Sequence, residues 1–223
     1  MKNFFIKLRH NRLLNLFAIN LRYAIGLGFI PSGMIKLLGK PFTRAENVGV
    51  FYDFLHAMYA TGIYYNMIGF MQVFAGVLLI TQRFSTLGAA IFLPIIFNIT
   101  VLTLSTIGSF TPLIATLMLL GIIFLLVWDQ HKWINILSPD NRLYAVPRTN
   151  DFPTFQKVHI YTGFFLLALP TILFLIGFKE TALYAVPLVL ITGNIISEAR
   201  YPVLRDLSKM TFLRPVTKDA QKS

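Results

Sequence analysis

Six long apolar stretches dominate this sequence and restrict the folds that it can adopt. A helix needs about 20 mainly apolar residues to cross the hydrocarbon core of a bilayer. The stretches therefore predict an all-α, polytopic helical membrane protein with about six transmembrane helices. The predicted spans are residues 13–38, 63–81, 86–105, 112–128, 159–178 and 182–198.

Composition supports this class of protein. Hydrophobic residues make up 56% of the chain and charged residues 13%, and the mean hydropathy is +0.66. The net charge of +11 would favour nucleic acid as the partner of a soluble protein. Here the cations lie between apolar stretches, so we expect membrane lipids as partners and no nucleic acid. The absence of cysteine excludes disulfides and thiolate metal sites within the chain.

The distribution of Lys and Arg predicts the orientation in the membrane. With both termini inside, the inner segments hold four cations in residues 1–12, one at Arg83, four in residues 129–158 and six in residues 197–223. The outer segments hold three. The positive-inside rule therefore favours six spans with both termini inside, in a membrane that we expect to be the bacterial cytoplasmic membrane.

The spacing of the spans divides the chain into four parts. Residues 12–128 form a predicted four-span unit, which we expect to be a four-helix bundle. An interfacial linker follows at residues 129–158, then a two-helix hairpin at 159–198 and a basic inner-side tail at 199–223. Within the first part, the aromatic segment 39–62 is predicted to lie along the outer interface or to form a short re-entrant helix.

Arg22 is the most unusual residue of the first span. An arginine at mid-bilayer costs about 2.5–3.5 kcal/mol on insertion scales, so it usually has a partner or a function. Lys36 lies fourteen residues further along and on nearly the same helical face. Gly26 and Gly33 fall on the same side and would allow another helix to approach closely. This face of the first span is therefore the predicted centre of function.

Polar residues in the other spans are predicted to complete a polar pocket with these cations. The only acid expected to reach Arg22 is Glu198, and Asp53 is the candidate counter-ion for Lys36 on the outer side. The alternative for each amide is a simple hydrogen bond between helices, and Lys36 alternatively extends to the interface. The candidate pocket residues are Arg22, Lys36, Gln72, Asn98, Asn194 and Glu198.

The sequence contains no motif for catalysis or for a metal. A phosphate-binding glycine loop, a nucleophile elbow and a metalloprotease signature are all absent. The histidines do not face one another within the spans, as a membrane haem would require. We therefore expect no catalytic activity and no metal site from this chain alone.

Short motifs in the first four spans resemble the DoxX family of small membrane proteins. The resemblance covers residues 12–128. Because each motif is short, the resemblance depends on the order and spacing of the motifs. The motifs are Leu21-Arg22, Gly28 to Gly33, Lys36-Leu37, Phe54-Leu55, Gly62, Gln72 to Ile80, Arg83 and Gly88-Ala89-Ala90.

The resemblance implies a four-helix membrane bundle with Arg22 and Lys36 as characteristic basic positions. It also implies an accessory or anchoring subunit of a membrane redox system, with a redox enzyme as partner and a quinone or small anion as ligand. Gln72 departs from the family, which often places an acid there. Two alternatives stay open from the residues: a transporter or lipid-handling protein, and a structural or assembly factor.

Overall fold

The computed structural model describes residues 12–108, 110–130, 153–176 and 185–199. These residues form seven helices, and no strand occurs among them. The helices are α1 (Arg12–Leu37), α2 (Val50–Ala60), α3 (Ile63–Ile80), α4 (Ser85–Thr106), α5 (Thr111–Trp128), α6 (Pro153–Ile176) and α7 (Ala185–Ala199).

Four of the described helices, α1, α3, α4 and α5, are long and apolar enough to cross a membrane. The chain is therefore a helical integral membrane protein. The apolar segments within α6 and α7, Lys157–Leu173 and Ala185–Ala199, are shorter. The first four predicted spans agree with these helices to within one residue at each end, because length and hydropathy together determine where a spanning helix can begin and end.

The fifth predicted span differs from the structure at its start. Helix α6 begins at Pro153, six residues before the predicted start at 159, so the end of the predicted linker is helical. Proline is favoured in the first turn of a helix because its missing N–H has no partner there in any case. Most of the predicted linker (131–152), the hairpin connection (177–184) and the basic tail (200–223) lie outside the described residues.

The chain divides into two compact units, residues 1–145 and 146–223. In the first unit α1 packs against α3, α3 against α4, α4 against α5, and α5 against α1. These contacts close a four-helix bundle, and α2 packs on α3 and α4 beside it. The predicted aromatic segment 39–62 thus contains a short helix, preceded by a loop and ended by Gly62 with a φ of +61°.

Glycines bring α1 and α3 into close antiparallel contact. A Cβ atom at Gly26 would lie 2.9 Å from the carbonyl oxygen of Gly76, and one at Gly33 would lie 3.0 Å from that of Gly69. The first distance is shorter than real Cβ contacts allow, and a Cβ at Gly33 would also lie only 2.9 Å from Cβ of Gln72, so larger residues would keep the helices further apart. The predicted role of Gly26 and Gly33 in helix packing is confirmed.

The bundle has an apolar interior and an apolar outer surface. Its core contains Ile25, Leu79, Phe92, Ile96 and Ile122, all at most 2% exposed. Large apolar side chains are also exposed on every spanning helix, as expected where the surrounding solvent is lipid. A buried polar group in such a bundle therefore needs a hydrogen-bond partner within the protein, since neither water nor lipid head groups can reach it.

In the second unit α6 and α7 pack closely against each other at a glycine, Gly193 of α7. A Cβ atom at Gly193 of α7 would overlap the side chain of Thr162 on α6. The Thr162 hydroxyl itself donates to the carbonyl oxygen of Val158 at 2.9 Å. His159, one turn earlier on α6, is buried at 1% exposure. Helix α6 therefore presents one side to α7 through Thr162.

Candidate functional site

Arg22 lies where three helix termini meet. Because Gly26 is opposite Gly76 in antiparallel helices, Arg22 of α1 is level with Ile80, the last residue of α3. Helix α4 begins nearby at Ser85, and α5 ends at Trp128, just before Asp129. We call this terminus of the bundle the Arg22 end. Arg22 is therefore near the edge of the bundle rather than at its middle, which lowers the insertion cost expected for it.

A buried ion pair neutralises the Arg22 guanidinium, although its Nε has no hydrogen-bond partner among the described residues. One terminal nitrogen, Nη2, donates to Oδ2 of Asp129 at 2.9 Å, and the other, Nη1, donates to Oε1 of Gln82 at 3.0 Å. The side chains of Arg22 and Asp129 are 9% and 4% exposed. The carboxylate also accepts from the hydroxyls of Thr86 at 3.0 Å and Ser85 at 3.4 Å. These five residues are the Arg22 network.

The expectation that only Glu198 can reach Arg22 is wrong, because Asp129 is its ion-pair partner. The sequence predicts that Asp129 begins the linker at residues 129–158, because it follows the last apolar residue of its span. In the structure the backbone N–H of Asp129 donates to the Leu125 carbonyl at 3.0 Å, which extends the helical turn. An Arg side chain points toward the start of its own helix, and Asp129 lies in that direction.

Gln82 occupies an unusual backbone conformation that supports the network. Its φ of +59° makes it the single non-glycine residue with a positive φ in the described part of the chain. The left-handed conformation costs roughly 1–2 kcal/mol for a residue with a side chain. The Gln82 amide offsets this cost by binding Arg22 and by donating to the carbonyl of Ile19 at 3.3 Å. A glycine would fit the turn but would lose both bonds.

Lys36 occupies the opposite terminus of the bundle, which we call the Lys36 end. Its side chain is 5% exposed, and Nζ donates to the hydroxyl of Ser32 at 3.1 Å and to the Ser32 carbonyl at 3.3 Å. The ring of Phe42 lies 4.1 Å from Nζ, measured to its centroid. Lys36, Ser32 and Phe42 form the Lys36 site. Among the described residues no carboxylate lies within ion-pair distance of Lys36.

Asp53, the predicted counter-ion of Lys36, is exposed on α2 and does not pair with it. Its backbone N–H is bonded to the Gly49 carbonyl at 2.9 Å, in the first turn of α2. An acid in the first turn of a helix is favourable because of the helix dipole. Asp53 therefore lies at the N-terminus of α2 and is not the counter-ion of Lys36.

Gln72 lies between the two termini of the bundle. It is 1% exposed, it packs against Gly33 of α1, and its Oε1 has no hydrogen-bond partner among the described residues. An unpaired buried acceptor costs about 1–3 kcal/mol. Gln72 is thus a buried polar group close to the middle of the α1–α3 contact, as predicted from its position in the second span.

The remaining predicted pocket residues lie on α4 of the first unit and on α7 of the second. Asn98 faces outward on α4 and is exposed, so it does not join Arg22, Lys36 and Gln72 in the interior. Asn194 and Glu198 are half-buried on α7 in the second unit, where the Asn194 amide donates to the Leu190 carbonyl at 2.9 Å. The structure thus contains two separate basic sites in the first unit instead of one pocket.

Six members of these sites are not predicted from the sequence. They are Asp129, Gln82, Ser85 and Thr86 in the Arg22 network, and Ser32 and Phe42 in the Lys36 site. The topology of a four-helix bundle offers a way to find them. The end of the second span, the start of the third and the end of the fourth lie at the same end of the bundle as the start of the first span. Searching those positions for an acid would have identified Asp129.

The described residues contain no group of three or more His, Asp or Glu side chains suited to a metal ion. Comparisons with protein-family models, with curated proteins and with solved structures return no match for this chain. The fold and the sites together define a class: a helical integral membrane protein whose bundle, in the part of the chain that the structure describes, holds one neutralised cation and one buried cation without a carboxylate.

Proposed function

We propose that this chain is a non-catalytic, DoxX-like accessory subunit of a membrane redox system that holds a quinone or a small anion at the Lys36 site. The observation that carries the proposal is the environment of Lys36. Its ammonium group is buried, and Ser32 and the Phe42 ring satisfy only part of its hydrogen-bonding and charge requirements. A ligand oxygen would complete them.

The chemistry of Lys36 determines which ligands fit. A buried ammonium has three donors, and charge-assisted hydrogen bonds to oxygen are about twice as strong as neutral ones. A quinone carbonyl or an oxyanion offers such an oxygen. Phe42, which is 42% exposed, could stack on a quinone ring from outside the bundle. Arg22 is a weaker candidate for this role, because Asp129 already neutralises it.

Replacing Lys36 with glutamine should abolish most ligand binding. The loss of one charge-assisted hydrogen bond, worth about 1.5–3 kcal/mol, should raise the dissociation constant of a short-chain quinone by roughly 10- to 150-fold. Calorimetric titration of the detergent-purified chain measures this constant. Lys40→Gln is the matched control, since Lys40 is exposed and lies just after the same helix.

Three outcomes of this titration decide the ligand class. Quinone binding that depends on Lys36 but not on Lys40 supports the proposal. Binding of inorganic oxyanions with the same dependence supports the small-anion form of it. If the purified chain instead carries only anionic phospholipid, which Lys36→Gln releases, the lipid-handling alternative replaces it. Equal affinities for both variants and the parent chain would exclude Lys36 as a ligand site.

The partner enzyme is tested by what co-purifies with the chain. Affinity purification in mild detergent, followed by mass spectrometry, should recover an oxidoreductase in a fixed ratio to this chain. Recovery of the chain with lipid alone would contradict the accessory-subunit proposal. The same sample then gives the quinone content, so that partner binding and ligand binding are measured independently.

We further propose six spans with both termini inside, as the positive-inside distribution of Lys and Arg predicts. Because the chain has no cysteine, single cysteines report topology without background. Lys40→Cys should react with an impermeant maleimide from the outside, and Arg83→Cys only after the membrane is opened. Both residues are exposed, at opposite ends of the bundle. Labelling of Lys179→Cys from the inside would contradict the six-span count.

A further inference from the structure

Asn98 places an amide on the outer surface of the bundle at membrane depth. It is exposed and lies eight residues before the end of α4, which is about 12 Å along the helix axis. The other exposed polar side chains of the four described spans are Tyr64, Ser105 and Thr111, and each is within one residue of a span end. Among the exposed polar side chains of the four described spans, Asn98 is therefore the one that faces the hydrocarbon core of the membrane.

The Asn98 amide has no hydrogen-bond partner in the described part of the chain, whereas other polar residues of α4 do. Thr100 donates to the carbonyls of Ile96 and Ala115, and Ser105 donates to that of Val101. Lipid chains cannot hydrogen-bond, so an unpaired amide at this depth costs several kcal/mol. Something other than lipid should therefore contact Asn98.

The surface around Asn98 is a continuous helical face. Apart from Asn98, which adjoins Phe97, its members follow one another at alternating intervals of three and four residues, which places them on one side of α4. The opposite side of α4, with Phe92 and Ile96, is buried in the core. We call this exposed surface the α4 face, and its residues are Leu87, Ala90, Pro94, Phe97, Asn98, Val101 and Leu104.

A proline adds a second polar feature to this face. Pro94 has no N–H, so it cannot donate to the carbonyl of Ala90 one turn earlier. Ala90 is small and exposed, which allows the backbone of another helix to come close. The α4 face thus offers an amide that both donates and accepts, and a carbonyl acceptor beside a small residue.

We propose that the α4 face is the interface of a homodimer, in which Asn98 hydrogen-bonds to Asn98 of a second copy. Two copies inserted with the same orientation are related by a two-fold axis along the membrane normal. This symmetry places equivalent residues at equal depth. An amide carries a donor and an acceptor, so two Asn98 side chains satisfy each other reciprocally. The inference does not depend on the proposed ligand of Lys36.

Single-cysteine crosslinking tests this interface directly, since the chain has no cysteine of its own. Val101→Cys, one turn from Asn98, should form a disulfide-linked dimer when the purified full chain is reconstituted in lipid and oxidised. Leu117→Cys is the matched control, because Leu117 is at least as exposed as Val101 (59% against 48%) and lies on α5 at a comparable distance from the α4–α5 connection. It should remain monomeric at the same lipid-to-protein ratio.

Asn98→Leu in the Val101→Cys background isolates the contribution of the amide. Loss of the hydrogen bonds should raise the dimer dissociation constant by about 3- to 30-fold, as seen by crosslinked yield across a series of lipid-to-protein ratios. An unchanged constant would overturn the proposal. So would equal crosslinking of Leu117→Cys, or crosslinking of Val101→Cys in native membranes to a different protein instead of a second copy.

Discussion

Asp129→Ala should lower the free energy of unfolding by about 3–5 kcal/mol, the usual cost of removing one partner from a buried ion pair. The variant leaves the Arg22 guanidinium in the bundle with Gln82 as its remaining hydrogen-bond partner among the described residues. It also removes the acceptor used by the hydroxyls of Ser85 and Thr86. Asp129 therefore links the end of α5 to α1 and to the start of α4.

Unfolding by sodium dodecyl sulfate in mixed micelles measures this loss. Asp53→Ala is the control for removing a negative charge, and it should cost less than about 1 kcal/mol because Asp53 is exposed and does not pair with Lys36. A loss from Asp129→Ala no larger than that of Asp53→Ala would contradict the structural role.

A double variant separates the ion pair from the packing around it. Replacing a buried pair by apolar residues of similar volume is often neutral or stabilising. Arg22→Leu together with Asp129→Leu should therefore be more stable than either single variant. The double variant should also bind the Lys36 ligand normally, because Arg22 and Lys36 lie at opposite ends of the bundle, fourteen residues apart on α1. Loss of ligand binding in this variant would indicate that Arg22 contributes to the ligand site.

The spans and their boundaries could be predicted from the sequence because one physical requirement governs them. A helix in lipid must satisfy its own backbone and match the thickness of the bilayer, and both conditions are visible in hydropathy. The α1–α3 contact was predictable on the α1 side for a similar reason. Gly26 and Gly33 stand seven residues apart, and such spacing leaves a strip along which a second helix can approach.

The partners of the two cations could not be predicted in the same way. Asp129 and Gln82 lie just outside the apolar runs, so hydropathy assigns them to connections rather than to the bundle. The sequence gives only the approximate depth of an acid such as Glu198 in the membrane. The pairing of a cation with an acid also depends on which helices are neighbours. Hydropathy does not determine the order of the helices around a bundle.

Asn98 shows a further limit of periodicity. Asn98 and Ser105 are seven residues apart and therefore share a face of α4, and both are exposed. Periodicity does not say whether such a face points to the core or to the lipid when both environments are apolar. In a soluble protein an outward amide would be solvated, whereas here it faces hydrocarbon. An outward amide therefore indicates an interface rather than a pocket.

Gly69→Ala should destabilise the bundle by about 3 kcal/mol, at the upper end of the cost of overpacking a well-packed core. A Cβ atom at Gly69 would overlap the backbone nitrogen of Leu37 and would lie 2.7 Å from both the Gly33 carbonyl oxygen and the Cβ of Lys36. Backbone atoms cannot rotate away, so α1 and α3 would have to separate. This separation would also displace Lys36 from its position beside Phe42.

Gly28→Ala is the matched control, because Gly28 is also a helical glycine in a spanning segment. The nearest atom to its added Cβ is Cε of Met118 at 3.6 Å, an ordinary contact. Helix propensity then favours alanine by about 1 kcal/mol, so this variant should be as stable as the parent chain or more so. Opposite signs for the two glycines in the same unfolding assay would show that the α1–α3 contact limits stability. Equal effects would mean that α1 and α3 can separate at little cost, and that the position of Lys36 is then set by its own contacts with Ser32 and Phe42.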